Sequence, residues 1–181
     1  MSTLIIGTIY KYSKSNPVDV AVIDELPNLL FHTNTVGENK ALLDAGINNI
    51  GAVKSSDCLR TPAILISSST HKQGSKDTPW QDEFDVDNGY IKYFGDNKSI
   101  GDPSKGGNSH ILEQFPLHNS NSLKDRLNAV PFIFFKSGKV GGRVKGNRVF
   151  QGIGLLRTAE LVTQYQKDIG YFTNYVFEFD V

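Results

Sequence analysis

The run Val130-Pro131-Phe132-Ile133-Phe134-Phe135 carries no polar residue and stops at Lys136. A short apolar stretch of this kind, entered through a proline and rich in aromatics, reads as a strand buried on both faces. Downstream, residues 148–153 and 175–181 read as strands. In the second, Val176, Glu178 and Asp180 face one way and Tyr175, Phe177, Phe179 and Val181 the other. Upstream, residues 90–94 and 63–67 are further short strands. Residues 4–10 and 18–23 are two more, rich in β-branched side chains and parted by the turn cluster Ser13-Lys14-Ser15-Asn16-Pro17. Helical signals are fewer. One helix is predicted over 38–45 with Gly46 as its stop, and another opening at Asn108 or Ser109 and carrying Ile111, Leu112 and Phe115. The polar stretch 96–109 reads as a long loop, a length that usually carries function or mobility. Many strands with two or three short helices predict an α+β domain built on a curved or barrel-like sheet.

At 181 residues the chain suits one domain and is short for two complete ones. Lys plus Arg total 19 and Asp plus Glu total 19, which excludes an indiscriminate polycation but not a local basic face. Cys58 is the only cysteine, so no intramolecular disulfide and no thiolate-rich metal site can form. The start Met1-Ser2-Thr3-Leu4-Ile5-Ile6-Gly7 lacks the basic flank of a signal peptide, and no apolar run approaches a membrane span. An intracellular, cytoplasmic protein is expected, with no membrane partner.

Two constellations stand out. Between Asp125 and Glu160 there is no acidic residue, while Arg126, Lys136, Lys139, Arg143, Lys145, Arg148 and Arg157 all fall there, interleaved with Gly138, Gly141, Gly142 and Gly146. A glycine-rich basic hairpin can bring backbone and cations close to a phosphate chain; an ordinary solvated hairpin tip is the competing reading. The second runs from Pro79-Trp80-Gln81-Asp82 through Gly89-Tyr90-Ile91-Lys92-Tyr93-Phe94 to Gly95-Asp96-Asn97-Lys98. It reads either as a hairpin turning at Gly89 with core aromatics, or as an aromatic pocket with a carboxylate at its mouth. The latter suits an extruded base, whose faces stack on rings and whose exocyclic amine donates to an acid.

Enzyme signatures are weak. An EF-hand register with Gly89 sixth puts Phe84 and Gly95 where carboxylates are required. No phosphate-binding loop or dinucleotide fingerprint is present, and His32, His71, His110 and His118 have no ligand spacing. Glu38-Asn39-Lys40 with Asp24 upstream has the acid-x-lysine spacing of metal-dependent endonucleases, and so keeps a self-contained nuclease open as an alternative.

The blocks Tyr93-Phe94-Gly95-Asp96-Asn97-Lys98, Gly107-Asn108 with Leu112 and Phe115, Val130 to Phe135, and Arg148-Val149-Phe150-Gln151-Gly152 occur in one order. In that order, with Pro79-Trp80-Gln81-Asp82 and Gly89 upstream, the chain resembles the N-terminal recognition domain of modification-dependent restriction endonucleases of the MspJI and AspBHI type. The resemblance covers roughly residues 60–156; the first 50 residues and the last 25 fall outside it. It implies an SRA-like fold, a crescent of curved, mostly antiparallel sheets with a few short helices. It implies that residues 1–181 form a single modified-DNA recognition domain. The family's C-terminal nuclease is expected to be absent, since no second acid–lysine block follows Gly152.

The function so implied is binding of duplex DNA carrying 5-methyl- or 5-hydroxymethylcytosine, with the base flipped into a pocket of Trp80, Asp82, Tyr90, Tyr93, Asp96 and Asn97. Asp96 would accept from the cytosine amine, and Trp80, Tyr90 or Tyr93 would stack. Phosphate contacts fall to Lys98, Lys136, Lys139, Arg143, Lys145 and Arg148. No catalytic residue, metal or cofactor is expected on this chain; a fused or partner nuclease is, and a homodimer is left open. Another DNA mark, a phosphorothioate or a glucosylated base, is the alternative ligand.

Overall fold

A computed structural model describes residues 3–33, 43–54, 56, 58–69, 81–97 and 99–181. In chain order the strands are β1 (Ile9–Lys11), β2 (Val22–Ile23), β3 (Leu26–Pro27), β4 (Ile47–Asn49), β5 (Val53–Lys54), β6 (Leu59–Arg60), β7 (Ile64–Ser68), β8 (Glu83–Asp85), β9 (Tyr90–Phe94), β10 (Phe132–Ser137), β11 (Asn147–Gln166) and β12 (Gly170–Asp180). The helices are short: α1 (Leu29–Thr33), α2 (Gly107–Leu112), α3 (Phe115–His118) and α4 (Leu123–Asn128).

One sheet organises the molecule, in the order β4-β7-β10-β11-β12-β9-β8, with β1 also paired to β11. Every pairing in it is antiparallel except β7 with β10. The 20-residue β11 is its spine. Its first half pairs with β1 and β10 and its second half with β12. Where the partners change, Gly152 adopts φ +135° and the chain presses inward at Gly154. A Cβ on Gly154 would lie 2.7 Å from the Asp180 carbonyl oxygen and 3.0 Å from the Phe134 ring. Register shifts at Phe134/Phe135 and Leu156/Thr158 add local bends.

The resulting sheet is curved and open, a crescent rather than a closed barrel. Its inner face holds Ile47, Ile64, Ile66, Ile91, Tyr93, Ile111, Phe132, Phe134, Leu156, Phe177 and Phe179. A second cluster, with Tyr10, Tyr12, Leu29, Leu65, Phe135 and Phe150, covers the other face. Phe132 and Phe134 thus point into one core and Phe135 into the other, so the aromatic run is buried on both sides.

Other expectations need correction. The strands predicted over 4–10 and 18–23 shrink to β1 and β2, because β1 only borders β11 at its start. The strands predicted over 148–153 and 175–181 are pieces of the much longer β11 and β12 hairpin. Val176 is buried along with Phe177, so the alternation in 175–181 does not separate a buried from an exposed face there. Of the helix predicted over 38–45, residues 38–42 lie outside the described residues. Asp44 and Ala45 are not helical, because their amides donate to Asn48 Oδ1 at 2.8 Å instead. Helix α2 follows an N-cap at Gly106, and Asn108 is buried inside it rather than capping it. Among the described residues no helix is long and apolar enough to cross a membrane.

Candidate functional site

Among the described residues the two ends of the crescent meet without a backbone ladder. Strands β4 and β7 stand at one end, β9 and β8 at the other, and two carboxylates bridge them. Asp82, just before β8, accepts from the Phe94 amide of β9 at 2.9 Å and from the Ser68 hydroxyl of β7 at 2.7 Å. Asp96, two residues past β9, accepts from the Tyr93 hydroxyl at 2.9 Å and from the Ile47 amide of β4 at 3.1 Å. Between them Tyr93 is fully buried. Burial, followed by the charges of Asp96 and Asp82, holds its phenol well above the ordinary value of 10. Tyr93 is therefore a fixed hydrogen-bond donor. Asp96 itself is part-exposed, neither in bulk solvent nor sealed in hydrocarbon.

Glycine makes this closeness feasible. A Cβ on Gly46 would collide with the Asp96 carboxylate and the Tyr93 hydroxyl, and one on Gly107 would come within 2.9 Å of Asp96 Oδ2. The backbone at Asp96 is fixed by a chain of buried amides. The Asp96 amide donates to Asn108 Oδ1 at 2.9 Å, Asn108 Nδ2 to Asn174 Oδ1 at 3.2 Å, and Asn174 Nδ2 to Gln164 Oε1 at 3.0 Å. Asn174 Nδ2 also donates to the Gly95 carbonyl at 2.8 Å. Asn97 ties the same turn to β12 through the Thr173 carbonyl at 2.6 Å. These partners were missed in the sequence. The one signal was Asn108 at the start of α2, which reads as a cap when its role is to hold the turn.

The structure therefore brings Asp82, Tyr93 and Asp96 together, with Asn97 anchoring their turn. Tyr90 is elsewhere. Side chains alternate along β9, so it lies on the face opposite Tyr93, donating to Glu178 at 2.8 Å beneath the Arg157 guanidinium, 5.3 Å from its ring. Burial and the Glu178 bond push its phenol up to about 12. Trp80 and Lys98 lie outside the described residues, as do Glu38, Lys40 and His71. Asp24 pairs with Lys11 at 2.7 Å. No group of three or more His, Cys, Asp or Glu among the described residues could hold a metal ion.

The cations divide into four settings. Lys136 is the rung neighbour of Ser68, whose hydroxyl donates to Asp82, and it lies 5.2 Å over the Phe84 ring. Lys139, Arg143 and Lys145 are exposed on the loop between β10 and β11. That loop turns tightly at Gly141 and Gly142, both at positive φ, inside mutual 2.9 Å backbone bonds between Val140 and Arg143. Arg148 instead stands opposite Tyr10 in the outer core, half-buried and 6.0 Å over the Tyr12 ring. Its Nε is buried without a partner among the described residues, and burial lowers its pKa. Arg157 is neutralised across the hairpin by Glu178 at 3.0 Å and Asp180 at 3.4 Å. The window without acids in sequence thus has acids in space, supplied by β12.

The family described as restriction endonuclease AspBHI N-terminal matches residues 4–181. This extends well past 60–156, to both ends of the chain. No curated protein matches. Among solved structures, the MspJI restriction endonuclease in complex with a 27-mer oligonucleotide superposes with a TM-score of 0.85 at 32% identity, over 98% of this chain and 42% of that one. The DNA recognition domain of the cytosine modification-dependent restriction endonuclease LpnPI superposes at 0.64 with 18% identity, over 97% and 72%. The DNA modification-dependent restriction endonuclease AspBHI does so at 0.54 with 18% identity, over 75% and 60%. The last two share the fold. This chain spans less than half the length of the MspJI chain.

Proposed function

The chain belongs to the restriction endonuclease AspBHI N-terminal family, and from that membership we propose that it is a reader of modified cytosine in duplex DNA. Residues 1–181 act as one recognition unit, the specificity part of a modification-dependent restriction endonuclease. The observation that carries this reading is Asp96, a part-exposed carboxylate fixed at the mouth of the crescent by Tyr93 and the Ile47 amide. A carboxylate can accept about four hydrogen bonds, so the N4 amine of a flipped 5-methyl- or 5-hydroxymethylcytosine can add to these. Asp82 and Tyr93 hold the wall behind it, and Asn97 holds the turn. Preorganisation matters here, because one buried methyl group contributes only about 0.8 kcal/mol by area. Flipping itself costs a few kcal/mol.

Phosphate contacts fall to Lys139, Arg143 and Lys145 on the loop, with Lys136 nearer the carboxylates. These supply affinity that weakens with salt and does not read the base. Fluorescence anisotropy with matched duplexes tests the division. Duplexes carrying 5-methyl- or 5-hydroxymethylcytosine are expected to bind more tightly than the unmodified one at every salt concentration. Asp96→Ala is expected to remove that preference while leaving the salt-dependent component. Equal affinity of the parent chain for modified and unmodified duplexes overturns the reading. Tighter binding to a phosphorothioate or glucosylated duplex reassigns the mark.

A further inference from the structure

Past the last rung shared with β9, strands β11 and β12 continue as a two-stranded ribbon to the turn at 167–169. One face of this ribbon, with Gln164, Phe172 and Asn174, is buried. The other carries the cross-strand pairs Leu161–Tyr175, Thr163–Thr173 and Tyr165–Tyr171. The rings of Tyr165 and Tyr171 stand 5.2 Å apart at 57°, yet remain 49% and 74% exposed. A cross-strand aromatic pair steadies a ribbon through ring-to-ring contact. That role leaves the outer ring faces unexplained.

The exposed face is continuous with the candidate site. Alternation puts Tyr171, Thr173, Tyr175 and Phe177 on one side of β12. Tyr175 stacks on Phe177 at 5.7 Å and 15°, and Phe177 is the rung partner of Tyr93. The turn holding Asp96 is tied to the Thr173 carbonyl through Asn97. Tyr171 is two residues further along, roughly 7 Å at strand rise.

We propose that this hairpin tip is a second nucleic-acid contact, in which Tyr171, backed by Tyr165, stacks on a nucleobase flanking the modified cytosine. The inference rests on the modified-DNA reading above. Extrusion of a base leaves its neighbours with an uncovered face, and an aromatic ring can cover any of the four bases. The turn pairs Lys167 with Asp168 in sequence and has no net charge. The contact is therefore one of rings rather than of phosphates, and adds affinity without adding salt dependence.

The test uses the 181-residue chain and a 5-methylcytosine duplex with 2-aminopurine beside the modified base. Tyr171→Thr, which keeps a good strand former, is expected to weaken binding about tenfold. It is also expected to leave the salt slope unchanged and to relieve quenching of the 2-aminopurine. Tyr171→Phe is expected to retain both affinity and quenching. Tyr165→Thr repeats the test from the neighbouring strand, should Tyr171→Thr not fold. Parental affinity and quenching in the folded Thr variant, while the parent discriminates modified from unmodified DNA, overturns the hairpin contact alone. If the parent does not discriminate, the modified-DNA reading fails and this contact falls with it. A loss of self-association on sedimentation with DNA affinity unchanged makes a second copy the occupant, and likewise overturns the proposal.

Discussion

Tyr93 and Asp96 depend on each other. The phenol gives the carboxylate a donor that cannot be titrated at physiological pH, and the carboxylate satisfies the hydroxyl of a fully buried side chain. Because the folded-state pKa of Tyr93 is raised, the folded chain keeps a proton that the unfolded chain sheds near pH 10. The stabilisation is fully present below that pH and is lost as pH rises towards the folded value. Urea unfolding at about pH 9 and about pH 11 should therefore show a fall in stability in the parent. Tyr93→Phe should lessen that fall, leaving the share that the raised Tyr90 contributes, and lose about 1 kcal/mol at neutral pH, the usual net worth of a hydrogen bond. An equally steep fall in the variant would mean that other groups carry it.

Short elements matter here for what they hold in place. Helix α2 is only six residues long, and its buried Asn108 is the first link from the Asp96 amide to the β11–β12 hairpin. Such amide chains polarise one another and fix geometry in a low-dielectric setting, but they are costly when broken. Asn108→Ala leaves the Asp96 amide without its acceptor and Asn174 Oδ1 without this donor. A loss of about 2 kcal/mol in denaturant unfolding is expected, within the usual cost of orphaned buried groups. A reduced preference for modified DNA should accompany it, because the turn that aims Asp96 is loosened. Unchanged discrimination in the folded variant would make the amide chain purely structural.

Across the whole molecule the charge sums to zero, so any attraction for DNA must come from how charge is arranged. Arg157 is cancelled by Glu178 and Asp180, and Arg148 is drawn into the outer core. This leaves Lys139, Arg143 and Lys145 exposed on a loop whose glycine turn carries them away from the sheet. Replacing all three by glutamine is expected to lower the slope of log affinity against log salt by roughly 3, about one for each phosphate that is no longer neutralised. Modified and unmodified duplexes should lose affinity in parallel, which titrations at several salt concentrations would show. A selective weakening on the modified duplex would move these residues from phosphate neutralisation to base reading.

The aromatic run through Phe132–Phe135, the strand Tyr90–Phe94 and the glycine turn at Gly89 were legible in the chain itself. Continuous apolarity, alternation and a positive-φ position are local properties. Asp96 was legible too, as a carboxylate directly after a strand. Alternation along that strand also puts Tyr90 and Tyr93 on opposite faces, but the sequence could not show that Tyr90 turns to Glu178 while Tyr93 packs into the core. Nor could it show that acids of β12 neutralise Arg157, or that Ser68 and Ile47 converge on two carboxylates while Asn108 takes the Asp96 amide. Each of those depends on contacts between residues 12 to 88 positions apart, and only the curl of the sheet around its inner core sets those distances.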